Sequence, residues 1–208
     1  MSEATTTENL SPPIIPRELL FGNPERSSPQ ISPDGSKFSF IAPDESDVLQ
    51  VWVLPNGAPL AEAKQVTKDK KRGIRGYAWS ENSGYVLYMQ DSDGDENWHV
   101  FSTDLETNLT RDLTPFLGCQ ASILATHEDY PTELLVSANV RDATLHEVYR
   151  VNLETGAMVL DTENPGGIVG WLPDNDFKVR GGQRATDDGG FDILVRDTVD
   201  TEWRSLLK

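Results

Sequence analysis

The sequence lacks most of what covalent chemistry, metal capture or membrane residence would need. It holds one cysteine, Cys119, which excludes an internal disulfide framework and any metal site built from several thiolates. A lone cysteine of this kind reads as a small buried hydrophobe. Positive charge is scarce: 18 Lys and Arg stand against 34 Asp and Glu, for a formal net charge of -16. Such a chain repels polyanions, so neither nucleic acid nor an anionic membrane surface is expected as a partner. No apolar run is long enough to span a bilayer, and the opening "MSEATTTENLSPPIIPREL" has neither the basic start nor the apolar stretch of an export signal. A cytoplasmic protein is the default expectation. Asn9-Leu-Ser and Asn108-Leu-Thr, which match the glycosylation pattern, then count as chance matches.

What the sequence does have is a repeat. Residues 1–16 are polar and rich in Thr and Pro, and read as a disordered or loosely attached arm. From there "ISPDGSKFSFI" (Ile31 to Ile41) is answered by "WSENSGYVLYM" (Trp79 to Met89), and more loosely by segments starting at Thr126 and Trp171. A second landmark, centred on Trp52, Phe101, Tyr149 and Leu194, keeps a step of 45 to 49 residues. "DLETN" at Asp104 and "NLETG" at Asn152 lie 48 apart, and Val66-Thr67 is answered by Leu113-Thr114. Landmarks in one order at one period mean a repeated structural unit. Each unit holds about four short alternating runs of β-branched and aromatic residues separated by Pro, Gly, Asn and Asp turns, and no segment shows a convincing helical period.

Four antiparallel strands per unit predict an all-β fold, a partial β-propeller of about four blades, in preference to a sandwich. The blades are expected near 24–68, 69–115, 116–163 and 164–208, within a propeller portion at 17–208. With strands lettered A to D from the axis outward, the loops joining B to C are "PDESDV", "DSDGDENW", "NVRDATLH" and "GGQRATDDGG". The fourth unit stops near "WRSLLK", where its last strand would form, so the chain reads as cut. An open set of blades exposes unpaired edges, and self-association is expected from it.

"IPRELLFGNPERSSPQISPDGSKFSFIAP", "QDSDGDENWH", "HEVYRVNLETG" and "DNDFKVRGGQRATDDGGFDILVRD" together resemble the N-terminal propeller of the prolyl oligopeptidase family of serine peptidases, nearest its acylaminoacyl-peptidase and dipeptidyl-aminopeptidase-like branch. The similarity runs from Ile15 to the C-terminus. It implies a propeller that gates and positions peptide substrates for an α/β-hydrolase domain with a Ser-Asp-His triad, and no metal or organic cofactor. Here the chain departs from the family pattern. It has no G-x-S-x-G and so no nucleophile elbow; Ser80 lies in a blade turn, and His99, His127 and His146 have no suitably placed nucleophile. No catalytic residue carries over, the hydrolase domain is absent from this sequence, and the chain alone is expected to be inactive.

The acidic stretch Asp91 to Asn97 admits three readings. As an EF-hand loop it fails, because glycine sits fourth and Ser102 occupies the twelfth position. A looser cation site and a plain polar turn, with Gly94 at positive φ, stay open. The resemblance adds a third reading, in which Asp93, Asp95, Glu96 and Asn97 face the hydrolase domain or the substrate entrance and a carboxylate holds a substrate amino group. The basic run "KDKKRGIRGY" (Lys68 to Tyr77) joins strand D of blade one to strand A of blade two on that same face. Its Arg72 and Arg75 can pair with the acidic loop or with the hydrolase domain.

Overall fold

The computed structural model describes residues 14–21 and 24–207. Most of the arm expected at 1–16 therefore lies outside the described residues; Ile14, Ile15 and Pro16 are exposed. The first described element is a single helical turn, α1 (Arg17–Phe21), which one turn of chain is too short to announce by periodicity. A second such turn, a 3-10 turn at Leu60–Glu62, lies between strands. The other described residues are strand, turn or irregular chain.

Among the described residues sixteen strands form four antiparallel sheets in strict chain order. The first holds β1 (Ser27–Ile31), β2 (Lys37–Pro43), β3 (Leu49–Pro55) and β4 (Lys64–Gln65). The second holds β5 (Tyr77–Trp79), β6 (Tyr85–Gln90), β7 (His99–Asp104) and β8 (Thr110–Asp112). In the third are β9 (Ala121–Thr126), β10 (Glu133–Asp142), β11 (Leu145–Asn152) and β12 (Met158–Thr162), and in the fourth β13 (Ile168–Pro173), β14 (Val179–Ala185), β15 (Phe191–Val195) and β16 (Arg204–Leu207). These are the four blades of a partial propeller. Two of the expected loops are shorter than the sequence suggested. In the third blade β10 runs on through "NVRD" to a tight turn, pairing Asp142 with Leu145, and in the fourth β14 continues through "GGQRA". The extension in the third blade is held by Arg141, which grips the buried Glu147 across the hairpin with two bonds of 2.9 Å.

The core lies between blades rather than within them. Because side chains alternate along a strand, each central strand can bury one face against each neighbour. In β6, Val86 and Tyr88 pack with Ile41, Val51 and Val53 of the first blade, while Leu87 packs with Leu134 and Val136 of the third. In β10 the pattern repeats, with Leu134 and Val136 facing back and Leu135 facing forward onto Trp171 and Val179. Cys119 is 2 % exposed in the cluster between blades two and three, and burial pushes its thiol pKa up, which fits a packing role. Among the described residues the three clusters join one to two, two to three and three to four.

Repeated polar devices fix the blades. Thr67 and Thr114, the threonines of the second landmark pair, accept the backbone N–H of Val51 (2.9 Å) and Val100 (3.0 Å) at the heads of their C strands. In the A-to-B turns, Ser32 donates to Asp34 and accepts from the Lys37 amide, as Ser80 does with Asn82 and Tyr85. The turns also link blade to blade: Asp34 N–H to Ser83, Asn82 N–H to the Pro131 carbonyl, and His127 Nε2 to the Asn175 carbonyl at 2.8 Å.

Candidate functional site

The acidic loop follows β6 and reaches β7, and its first residue anchors it. Asp91 is the residue directly after the B strand, the place Asp44 holds in the first blade, where that carboxylate takes the amides of Ser46 and Val48. The Asp91 side chain is fully buried. Its Oδ2 accepts the Glu96 N–H at 3.3 Å and faces Arg72 Nη1 at 3.4 Å, while Oδ1 has no partner among the described residues. Asp93, Gly94 and Glu96 have φ of 55°, 89° and 60°, so the chain turns back on itself within four residues. Glycine suits position 94 because a Cβ would be strained at that φ; it would also push aside Arg72 Nη1, the end of the side chain that faces Asp91.

The basic segment is pinned to the first blade before it meets this loop. Buried Gln50 donates to the Asp69 carbonyl (2.7 Å) and accepts the Asp69 amide (3.1 Å). Asp69 in turn accepts the Gly73 N–H at 2.6 Å, and Ile74 donates to the Leu49 carbonyl at 2.7 Å. Lys71 and Arg72 are thereby held over the acidic loop. Lys71 Nζ contacts both oxygens of Asp93 at 2.8 and 2.9 Å, on the surface, and Arg72 reaches inward to Asp91.

The predicted residues therefore divide. Asp95 accepts the amides of Ser92 and Asn97 and the Asn97 side-chain NH2, bonds that hold its carboxyl below the usual range, the Asn97 amide first. Asp95 and Asn97 serve the loop itself. Asp93 is neutralised by Lys71. Glu96, exposed and alone among the four carboxylates in having no side-chain partner among the described residues, lines a cleft of about 370 Å³ with Met89, Trp98, Gln120, Ser122 and His146. Asp91 and Asp93 instead line a separate cleft of about 270 Å³ with Lys71 and Arg72. The cleft wall is tied across blades by the Ala121 N–H, which donates to the Trp98 carbonyl at 2.7 Å. Arg75 stays apart from the acidic loop; it is exposed, has no ion pair among the described residues, and lines a second cleft of about 460 Å³ with Tyr77, Leu87 and Ile123. Met89 and Trp98 line both clefts, so the two adjoin. Sequence reasoning passed over Asp91, Gln50 and Lys71; the position of Asp91 opposite Asp44 in the repeat was the available signal.

Among the described residues no three His, Cys, Asp or Glu side chains converge as metal ligands. Asp91, Asp93 and Asp95 are engaged instead by Arg72, Lys71, backbone amides and the Asn97 side chain. The Ser80 hydroxyl is buried and fully engaged in its turn. His99 Nδ1 lies 2.7 Å from Asp112 and stacks on Phe101, and burial pushes the His146 pKa down, which favours a neutral imidazole. No helix among the described residues is long and apolar enough to cross a membrane.

The sequence matches no family profile. It is 42 % identical over 183 residues to dipeptidyl aminopeptidase BIII of Pseudoxanthomonas mexicana, covering 88 % of this chain and 26 % of that protein. Dipeptidyl peptidase family member 6 of Caenorhabditis elegans is 30 % identical over 174 residues, 80 % of this chain and 23 % of the relative. The chain thus spans about a quarter of the length of the curated relatives it matches. In fold it is similar to prolyl oligopeptidase B of Galerina marginata (TM-score 0.62, 13 % identity, covering 86 % of this chain and 26 % of that one). Oligopeptidase B of Leishmania major is a further neighbour (TM-score 0.57, 14 % identity, 87 % and 27 %). By these relationships the chain corresponds to the N-terminal, propeller-sized portion of peptidases of the prolyl oligopeptidase family.

Proposed function

We propose that this chain forms part of a propeller that gates and positions peptide substrates for a serine-peptidase domain lying outside it. The relationship to dipeptidyl aminopeptidase BIII across 88 % of the chain carries this reading. The reaction would be acyl transfer to water through an acyl-enzyme, with nucleophile, base and orienting acid all supplied by the catalytic domain. The residues here contribute position. Glu96 is the loop carboxylate left free to take a substrate α-ammonium group in a charge-assisted hydrogen bond. Asp95, Asn97 and the Lys71–Asp93 and Arg72–Asp91 pairs hold the loop that carries it.

The partners are then a hydrolase domain, in cis or in trans, and a peptide; the exposed faces of the first and last blades are proposed to self-associate when nothing covers them. The test joins the intact mass of the native protein from its source to labelling with a fluorophosphonate serine-hydrolase probe. A labelled species several times heavier than 23.1 kDa, or a labelled partner co-purifying with the chain, is expected. An unlabelled, partner-free product of 23.1 kDa would overturn the reading and leave a binding module without chemistry.

A further inference from the structure

Two adjoining clefts form one groove between the second and third blades, and its charges sit apart. Glu96 lines only the first cleft and Arg75 only the second, with Met89 and Trp98 as the wall between them. Among the described residues no other permanently charged side chain lines either cleft, and His146 is the one other titratable group in the first, held toward neutrality by burial. The rest of the second cleft is apolar or aromatic, with Tyr77, Leu87 and Ile123 along it.

An apolar trough with a carboxylate in one part and an unpaired guanidinium in the other is complementary to a molecule with the reverse pattern. Lys71 and Arg72 are consumed by Asp93 and Asp91, whereas Arg75, like Lys68 and Lys70, has no anionic partner among the described residues and is the one of these three that lines the groove. A guanidinium beside an apolar wall suits a carboxylate on a partly apolar ligand, because it is weakly hydrated and offers a fork of donors.

We propose that the groove selects peptides bearing a carboxylate close behind a free amino terminus: the ammonium pairs with Glu96, an apolar side chain lies along Trp98 and Met89, and the carboxylate pairs with Arg75. This rests on the reading of Glu96 as the substrate-amine acceptor and adds an anionic specificity that the reading does not require.

The test is titration of the full chain with matched tripeptides, followed by tryptophan fluorescence and by the Trp98 indole N–H signal in NMR. The peptides are glycyl-leucyl-glutamic acid α-amide (acidic side chain), glycyl-leucyl-glutamine as the free acid (carboxy terminus) and glycyl-leucyl-glutamine amide (neither), each with and without an N-acetyl group. One or both acidic peptides are expected to bind about fivefold tighter than the neutral amide, the scale of one partly exposed ion pair. Which of the two does so identifies the carboxylate. Arg75→Gln should abolish the preference and Arg75→Lys retain most of it, with the effect of N-acetylation unchanged. Equal binding of all three free-amine peptides, or a preference that survives R75Q, overturns the proposal. If acetylation and Glu96→Gln still weaken binding in that case, only the anionic specificity falls. If no peptide binds or shifts Trp98, the amine-binding reading falls with it.

Discussion

Asp91 is the residue on which the acidic loop depends. A carboxylate removed from water is costly unless paired, and the guanidinium of Arg72 is the one positive charge beside it among the described residues. Arg72→Met should therefore destabilise the protein by about 2 kcal/mol, less than for a wholly buried pair because Arg72 is 33 % exposed. Lys71→Met, which breaks a pair exposed on both sides, should cost below about 0.5 kcal/mol. Urea unfolding of both variants checks the contrast, and equal losses would refute it. The asymmetry shows why the site was only half legible. The sequence displays how many carboxylates the loop holds, but which are spent on backbone amides, which are paired and which are free depends on where a distant basic segment lands. That landing is set by Gln50 and Asp69, polar residues with no mark in the local pattern.

A second prediction at this scale concerns Tyr149. Burial, then the Glu147 carboxylate that accepts its hydroxyl, push its pKa up to about 12 from an ordinary 10.0. The folded phenol keeps its proton through a window in which the unfolded one has lost it. The unfolded state then binds fewer protons, so stability falls as pH rises from about 10 to about 12. Burial raises Tyr77, Tyr85 and Tyr88 as well, so tyrosinate absorbance in a pH titration should show several late phenols, part of whose amplitude Glu147→Gln moves to lower pH; no change in that variant would refute the assignment.

At the scale of strands, the sequence carried nearly everything, and the reason is the two-faced blade. A strand buried on both sides by alternate neighbours must be apolar at nearly every position, and a turn must follow within a few residues; both leave strong local marks. The threonine landmark has a physical cause as well. Thr67 and Thr114 each give a side-chain oxygen to the first inward amide of the C strand; in the third blade Thr162 stands opposite Val148, but its hydroxyl donates to Asp161 and accepts from Arg196 instead. The third threonine escaped notice in the sequence because its neighbour is Asp161 rather than an apolar residue. Thr67→Val and Thr114→Val keep the shape and remove the acceptor, leaving a buried amide unpaired at about 1–3 kcal/mol each. Sitting in different blades, the two losses should add in the double variant, as chemical denaturation can measure. Where the sequence misled was in the hairpins: "NVRD" and "GGQRA" look like loops because they are polar, yet they continue strands. Their polarity is satisfied by cross-strand partners, Glu147 for Arg141 and Asp192 for Arg184, which a single-strand pattern does not show.

For the whole molecule the decisive fact is that blades stabilise one another through their faces. Leu135 and Val148, on the forward face of the third blade, are both 0 % exposed because the fourth blade covers them. The register of the fourth blade places Leu172 opposite Gly181, Ile193 opposite Gln183 and Phe191 opposite Ala185, so Leu172, Ile193 and Phe191 share the corresponding forward face. There Leu172 and Phe191 are 52 % and 53 % exposed. An apolar sheet face of this kind is an association surface. Sedimentation of the chain over a range of concentrations should thus show species heavier than 23.1 kDa that grow with concentration. Leu172→Lys with Phe191→Lys should return the chain to the monomer, since both charges would have to be desolvated in the contact. The same pair placed on the exposed Val159 and Leu109, which lie outside that face, should leave association unchanged. A chain monomeric at every concentration would mean that the forward face of the fourth blade needs no cover, and the dependence of each blade on the next would not extend beyond the three interfaces of this structure.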